Sequence, residues 1–265
     1  MRRLLLTVVH LSLASALHRR PGVAAALRLR GGLLGVSPVA VGSAASILGA
    51  TSGFYCGCIP APACAAYGID APSPSTVTMC RALGLTNIAH STLALAALKG
   101  TAIGRAVGLA WLPFLVGSTL EASKEGTPTR RAVLLAVSAI SATVVIGAIG
   151  RAPAWPSALT LILGLLAALA PRLLAGAVGA QSDGTVAGMT QNFGNQLTAF
   201  AVLQLLLARG LRGTTAIGCS WAVALLGLLH MTFVTKAHAA MGVSKEGTVY
   251  PWLVAQPAII AFSLF

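Results

Sequence analysis

Carboxylates are scarce in this chain, and two of them recur in one short motif. The five acidic residues are Asp70, Glu121, Glu125, Asp183 and Glu246. Glu125 and Glu246 each stand in a copy of the pentapeptide Ser-Lys-Glu-Gly-Thr, at 123–127 and 244–248. Charged residues placed within a membrane are costly and usually functional. One interpretation is therefore a polar gate or lipid-headgroup site built from the pairs Lys124–Glu125 and Lys245–Glu246.

The same pentapeptide also fits a plain connection between helices. Gly126 can end one helix in the left-handed conformation, and Thr127 can cap the next, with Pro128 in its first turn. Adjacent Lys124 and Glu125 would then neutralise each other at the water interface. The sequence leaves both interpretations open.

A second group of candidates consists of polar residues inside long apolar runs. Arg81 and Gln191 stand at corresponding places near the start of two such runs. An arginine there can reach back to the lipid headgroups or turn inward to bind an anionic lipid or substrate. His90, with Asn87 one turn before it, follows in the first of these runs, and Asn195 and Gln196 lie in the second. The candidate pathway residues are Arg81, Gln191, His90, Asn87, Glu125, Lys124, Glu246 and Lys245.

The sequence predicts no catalytic residues, no cofactor and no metal site. It contains no Walker loop, no GxSxG or HExxH motif and no DxxD-type acidic pair. His230 and His238 would be about 12 Å apart along a straight helix, too far for one metal ion. The stretch Cys56 to Cys64 lacks the spaced pairs of a zinc ribbon, which favours free or disulfide-bonded thiols. We therefore expect a protein that is not an enzyme.

The composition indicates a membrane protein. Hydrophobic residues make up 56% of the chain, charged residues 9%, and mean hydropathy is +0.85. The net charge of +13 comes from 18 Lys and Arg that are dispersed between apolar runs, so no continuous basic surface is expected to bind nucleic acid.

Apolar runs of about the length that crosses a bilayer predict an all-α, polytopic fold. Gly100 and Gly210 are placed to end helices, and Pro38, Pro128, Pro156 and Pro251 to stand in first turns. Small residues recur inside the runs and would let helices pack closely. The eight predicted spans are 37–56, 80–98, 101–121, 131–149, 155–171, 190–208, 213–236 and 249–265.

The order of motifs predicts an internal duplication, with a four-helix membrane unit at 35–150 and a second at 151–265. Both pentapeptides precede the last apolar run of their half. Met79 and Gly84 recur with the same spacing as Met189 and Gly194. Four spans per unit would make the two repeats parallel, and all five acidic residues would then fall on one side of the membrane.

The N-terminus has the character of a targeting leader. Residues 1–16 have a basic start, an apolar core and small residues at Ala14 and Ala16, as in a cleaved signal peptide. Residues 17–34 are rich in arginine and free of acids, which is typical of a transit peptide. The tandem resembles the bipartite plastid-targeting peptide of algae with complex plastids, with Ala14-Ser15-Ala16-Leu17 at its cleavage motif. The resemblance implies a plastid envelope or thylakoid membrane, the alternative being an endomembrane.

The four-span unit resembles DoxX-like small membrane proteins in its spacing of Arg81 and Gly84, whereas Gln191 departs from that pattern in the second unit. We expect a small-solute or lipid facilitator surrounded by the lipid bilayer. The alternative is a structural or assembly subunit of a plastid membrane complex, which would contact partner proteins through Gly/Ala-rich helix faces.

Overall fold

Helices account for every secondary-structure element that is described. The computed structural model describes residues 36–148, 155–178, 180, 183–243 and 248–264. The predicted leader, 1–34, and the boundary between the two predicted units lie outside these residues. The first half contains α1 (Pro38–Cys58), α2 (Pro60–Ala66), α3 (Pro74–Leu98), α4 (Ile103–Lys124) and α5 (Pro128–Gly147).

The second half follows a similar order with one additional short helix. It contains α6 (Trp155–Leu169), α7 (Pro171–Ala177), α8 (Gly184–Ala208), α9 (Gly213–Leu229), α10 (Ala237–Ala240) and α11 (Tyr250–Leu264). Helix α9 continues directly into a π-helical turn, His230–Val234.

Capping side chains and glycines set the ends of the two longest helices, α3 and α8, which have 25 residues each. The backbone N–H of Thr76 donates to Ser73 Oγ at the start of α3, and that of Val186 donates to Asp183 Oδ1 at the start of α8. Beyond their last turns, Gly100 and Gly210 have φ of +70° and +81°. The prediction that these glycines end helices is confirmed.

Helices α3 and α8 form the centre of the molecule and pack against each other. In the first half, α1 and α4 pack on α3, and α5 packs on α4. In the second half, α6 and α9 pack on α8, and α11 packs on α9. Helix α11 also contacts α1, so the two halves meet at a second place.

The outer helices α1 and α6 each break before a proline. The residue at the break is Ile59 (φ −129°, ψ 59°) after α1 and Ala170 (φ −130°, ψ 55°) after α6. Pro60 and Pro171 follow and begin the short helices α2 and α7. The bend between α6 and α7 is 111°. The two halves therefore share one backbone geometry at this point.

Glycines allow the backbones of these helices to cross closely, as the small-residue spacing predicts. A Cβ on Gly84 of α3 would lie 2.6 Å from the carbonyl oxygen of Gly53 in α1. A Cβ on Gly194 of α8 would lie 2.6 Å from the carbonyl carbon of Ala167 in α6. Since both neighbours are backbone atoms, neither position has room for a side chain.

Four helices of the described chain are long and apolar enough to cross a membrane: Pro38–Cys58, Ile103–Lys124, Pro128–Gly147 and Gly213–Val234. The bent pair α6 and α7 makes a fifth if it is counted as one span. Helices α3 and α8 are long but carry more polar side chains, many of them buried between the halves. The fold is all-α and compatible with an integral membrane protein.

Candidate binding cavity between the two halves

A cavity of about 100 Å³ lies where the two halves meet. Helices α1 and α3 border it on one side, and α8, α9 and α11 on the other. None of the described residues that line it is charged. Its polar lining residues are Ser52, Tyr67, Asn87, His90, Ser91, Asn192, Asn195, Gln196, His238, Thr248 and Gln256.

His90 lines the cavity and is held by a hydrogen bond to α9. Its Nε2 lies 3.0 Å from Ser220 Oγ, and that hydroxyl is 2.9 Å from the carbonyl oxygen of Ile217. The Ser220 hydroxyl has one proton, so it either donates to the carbonyl and accepts from His90 Nε2–H, or donates to His90 Nε2.

His238 also lines the cavity and is held by a hydroxyl group. Its Nδ1 lies 3.1 Å from Thr232 Oγ1, which is 2.7 Å from the carbonyl oxygen of Leu228. Burial lowers the pKa of His238 and so favours its neutral form.

Two buried amides at the cavity have polar atoms that make no hydrogen bond within the described part of the chain. They are Asn195 Nδ2, a donor, and Gln256 Oε1, an acceptor. Asn195 is 7% exposed and Gln256 is 4% exposed. Gly227 makes room for Asn195, since a Cβ there would lie 2.5 Å from Asn195 Cγ. Leaving a buried amide atom unpaired costs about 1–3 kcal/mol, which makes both amides candidates for contact with a ligand.

Aromatic rings form one wall of the cavity. Trp221 of α9 and Trp252 of α11 are stacked, with centroids 6.1 Å apart and an interplanar angle of 18°. The His90 ring lies 6.1 Å from Trp221 at 53°. The cavity thus combines a rigid aromatic surface with a few polar atoms, as small-molecule sites commonly do.

Of the predicted pathway residues, the structure brings Asn87 and His90 to the cavity, whereas Arg81 and Gln191 lie outside its lining. Arg81 forms an ion pair with Glu121 of α4, and its Nε donates to the carbonyl oxygen of Gly57 at 3.3 Å. Gln191 Nε2 donates to His230 Nδ1, and Gln191 Oε1 accepts from Thr235 Oγ1, both at 3.0 Å. Each of these side chains joins helices within its own half.

The first pentapeptide is a connection between α4 and α5, and it differs from the predicted one in its details. Gly126 is not in the left-handed conformation, and the Thr127 side chain makes no capping bond. Instead, the Thr127 N–H donates to Glu125 Oε1 at 2.8 Å, which lowers the pKa of the Glu125 carboxyl. No ion pair links Lys124 to Glu125 in the described chain. The left-handed Gly126, the Thr127 capping bond and the Lys124–Glu125 pair were therefore predicted wrongly. The Glu125 carboxylate accepts the backbone N–H of Thr127 instead.

Lys245 and Glu246, the charged residues of the second pentapeptide, lie outside the described residues. Thr248, its last residue, lines the cavity. The first copy lies away from the cavity, since none of its residues is in the lining.

Sequence reasoning missed several cavity residues, chiefly Trp221, Trp252 and Gln256. His238, considered only as a metal ligand from the sequence, is buried and lines the cavity. Trp252 and Gln256 are four residues apart in an otherwise apolar run, a spacing that places them on one helix face. That spacing was the available signal.

The cysteines form no disulfide: Cys56, Cys58, Cys64, Cys80 and Cys219 are all free. Three of them, Cys56, Cys64 and Cys80, are fully buried in one hydrophobic cluster. Within the described residues, no group of three or more His, Cys, Asp or Glu side chains is arranged to hold a metal ion.

A second contact between the two halves corresponds to the cavity and holds aromatic side chains. Phe200 and Trp111 stand 110 residues after His90 and before Trp221, and their rings are 6.4 Å apart at 47°. Phe114 packs against both of these rings. Ala224, which lines the cavity, stands 110 residues after Phe114. We call Trp111, Phe114 and Phe200 the aromatic cluster.

No protein-family model, no curated protein and no solved structure matches this chain. The fold and the cavity therefore define the class by themselves: an all-α fold, compatible with an integral membrane protein, with a polar cavity between its halves whose described lining residues carry no charge.

Proposed function

We propose that the chain is an eight-span membrane protein made of two parallel four-helix repeats, 35–150 and 151–265. The same order of helix packing in both halves supports this arrangement, as do the matching breaks at Ile59 and Ala170 and the close crossings at Gly84 and Gly194. The ring pairs His90–Trp221 and Phe200–Trp111 also match when the halves are exchanged. Helices α3 and α8 would cross the membrane surrounded by the more apolar spans.

The proposed partner of the outer surface is the lipid bilayer. Large apolar side chains are exposed along α4, α5 and α6, including Val116, Leu135 and Ile162 at 55%, 51% and 63%. In water such a surface would promote aggregation, whereas lipid tails accommodate it. A plastid location is proposed from the leader sequence alone.

For the activity, we propose a facilitator that passes a small solute between the two halves. The observation that carries this proposal is the polar cavity, whose described lining residues carry no charge and include the buried amide side chains of Asn195 and Gln256, each with one unpaired atom. Buried polar groups are costly unless they are satisfied, and a solute that forms hydrogen bonds with them offsets that cost.

The test is solute permeability in vesicles that contain the full chain. Swelling or shrinkage after mixing with small solutes would be followed by light scattering. The decisive variant is Ala224→Phe, which places a phenylalanine ring in the cavity at the position that corresponds to Phe114 of the aromatic cluster. Leu226→Phe is the matched control, because Leu226 lies on the same helix and is 65% exposed.

The expected result is permeability above that of empty vesicles, lost in Ala224→Phe and kept in Leu226→Phe. His90→Phe serves as a second plug if Ala224→Phe does not fold. Equal permeability of empty vesicles and vesicles with the unsubstituted chain, for every solute small enough for the cavity, would overturn the facilitator and favour the structural or assembly subunit with its Gly/Ala-rich contact faces.

A further inference from the structure

We propose that Cys56, Cys64 and Cys80 form a redox-active site, in which Cys80 makes a disulfide with either of the other two when a hydroperoxide oxidises the chain. We call these three residues the thiol cluster. The structure describes its reduced state, since all three cysteines are free. The inference goes beyond the proposed function, because this chemistry does not depend on a solute passing between the halves.

Cys80 is the central member of the thiol cluster. Its side chain makes hydrogen bonds with both Cys56 and Cys64. The three residues come from the consecutive helices α1, α2 and α3, and each is fully buried in the same hydrophobic cluster. Disulfide formation requires thiols that lie side by side, because distant cysteines need backbone movement. Cys80 has two such neighbours.

The second half shows that the fold does not need thiols at these places. The breaks before Pro60 and Pro171 and the pair Met79 and Met189 set the correspondence between the halves. The counterparts of Cys56, Cys64 and Cys80 are Ala167, Ala175 and Thr190, all fully buried.

The close helix crossings give the same correspondence for Cys56. A Cβ on Gly84 would lie 2.7 Å from the carbonyl carbon of Cys56, and a Cβ on Gly194 would lie 2.6 Å from that of Ala167. A single buried cysteine often serves only as a small apolar residue. Since alanine and threonine fill the corresponding space, three hydrogen-bonded thiols in one half indicate chemistry rather than packing.

The thiol cluster lies close to open space at two places. Tyr67 lines the cavity, and its Oη is 3.6 Å from Cys56 Sγ. Cys64 lies under α2, a helix of seven residues, and short elements with few buried contacts open locally at low cost. The exposed residues of α2 are Ala61, Pro62, Ala65 and Ala66. A small, uncharged oxidant such as hydrogen peroxide is therefore the class that suits this site.

The first oxidation step is assigned to Cys64. The hydrogen bond with Cys80 lowers the pKa of Cys64, which lies in α2 outside the apolar spans. The Cys64 thiolate attacks one peroxide oxygen, the O–O bond breaks, and the departing hydroxide takes up the proton that the thiol released. The products are a sulfenic acid on Cys64 and one water.

The second step forms the disulfide. The Cys80 thiol attacks the sulfenic sulfur of Cys64, the S–S bond forms, and the hydroxyl group leaves with the thiol proton as a second water. The two thiols lose two electrons, and the peroxide gains them. Cys56 can then attack the Cys80 sulfur and release Cys64 as a thiol, which moves the disulfide from α2 to α1.

The experiment counts thiols by intact mass after oxidation of the full chain in detergent micelles. Cys58 and Cys219 lie outside the thiol cluster and are replaced by serine in every sample, so that three of the five cysteines remain. The samples are treated with hydrogen peroxide, quenched with catalase, denatured and alkylated. We expect all three thiols to be alkylated before peroxide treatment and only one after it.

The matched variants place the residues of the second half in the first half: Cys80→Thr, Cys64→Ala and Cys56→Ala. Because the corresponding sites already bury these residues, we expect each variant to fold, and helical circular dichroism checks this. Cys80→Thr should leave both remaining thiols reduced under peroxide. Cys64→Ala and Cys56→Ala should each still form a disulfide, because Cys80 keeps one neighbour. Cys80→Ser replaces Cys80→Thr if that variant does not fold.

Three results would overturn the proposal. The first is a set of thiols that stay reduced at a peroxide concentration that oxidises the same chain in denaturant. The second is a disulfide in Cys80→Thr, which would join Cys56 to Cys64. The third is a disulfide in only one of the two alanine variants, which would contradict the shared role of Cys80. Oxidation to sulfinic acid in place of a disulfide would count with the first result.

Discussion

The cavity and the aromatic cluster lie at two corresponding contacts between the halves, and they differ in their side chains. At one contact, His90 and Trp221 border a polar cavity whose described lining residues carry no charge. At the other, Phe200 and Trp111 are separated by a nearly equal distance, and Phe114 fills the space between the helices. The comparison shows that helix placement sets the size of the space, and that two or three side chains decide whether it becomes core or cavity.

The two halves also differ at a second matched position. Arg81 in α3 forms an ion pair with Glu121, whereas Gln191 in α8 makes uncharged hydrogen bonds to His230 and Thr235. Arg81 and Glu121 have side chains 26% and 23% exposed, while Gln191 is 2% exposed. The partly exposed position carries a charge and the buried position a neutral amide, in line with the cost of burying ions.

The largest expected effect is on stability at the aromatic cluster. Phe200 is fully buried, so Phe200→Ala should lower the free energy of unfolding by about 4 kcal/mol through lost contacts and a new void. His90→Ala should lower it by only about 1 kcal/mol, because the side chain already borders a hollow and loses one hydrogen bond. Denaturant titration in detergent micelles measures both. Equal losses would mean that the cavity is packed in solution.

Substitutions at the close helix crossings should have the next largest effect on stability. Gly84→Ala and Gly194→Ala should each cost about 3 kcal/mol, because the new methyl group meets backbone atoms that cannot rotate away. Gly147→Ala is the control: it has open space around it and should change stability by less than about 1 kcal/mol. Thermal unfolding midpoints of the three variants provide the test. A large difference between Gly84→Ala and Gly194→Ala would break the correspondence between the halves.

The matched polar positions should show a smaller effect. Gln191→Leu removes the hydrogen bonds to His230, which is half-buried, and to Thr235, which is exposed, and should cost about 1 kcal/mol. A double-mutant cycle of Arg81→Gln and Glu121→Gln should give a coupling of about 1 kcal/mol, reduced by solvent screening of this partly exposed pair. High salt should weaken that coupling and leave the effect of Gln191→Leu unchanged. A salt-independent coupling would contradict the assignment.

The smallest effect concerns Glu125 in the first pentapeptide. Because its carboxylate accepts the Thr127 N–H, its pKa in the folded protein lies below the ordinary value of 4.5. A lowered carboxyl pKa contributes stability that is present above the unfolded-state pKa and is lost as pH falls through the folded-state pKa. The difference in unfolding midpoint between the unsubstituted chain and Glu125→Gln should therefore vanish in acid. A difference that persists at the lowest pH would show that the hydrogen bond is not its source.

Helix ends were predictable from the sequence because their causes are local. Pro38 and Pro128 stand at first turns, and Gly100 and Gly210 take the left-handed conformation beyond the last turns, each for reasons contained in a few residues. The conformation of Gly126 was not predictable in this way, because the carboxylate of Glu125 accepts the backbone N–H of Thr127.

The candidate site was predictable only in part. Asn87 and His90 were identified because polar residues are unusual in apolar runs, yet the same argument selected Arg81 and Gln191, which bond within their own halves instead. Periodicity says which residues share a helix face, but it does not fix the rotation of that helix against its neighbours. Trp252 and Gln256 enter the site through the packing of α11 on α9 and its contact with α1.

By itself, the sequence determined that this chain is helical, apolar and poor in charge, because hydropathy and capping act over one helix at a time. The tertiary structure decided which polar atoms are satisfied and which are left at a cavity. Hydrogen bonds such as His90 to Ser220 join residues 130 positions apart, and only the packing of α3 against α9 brings them within reach.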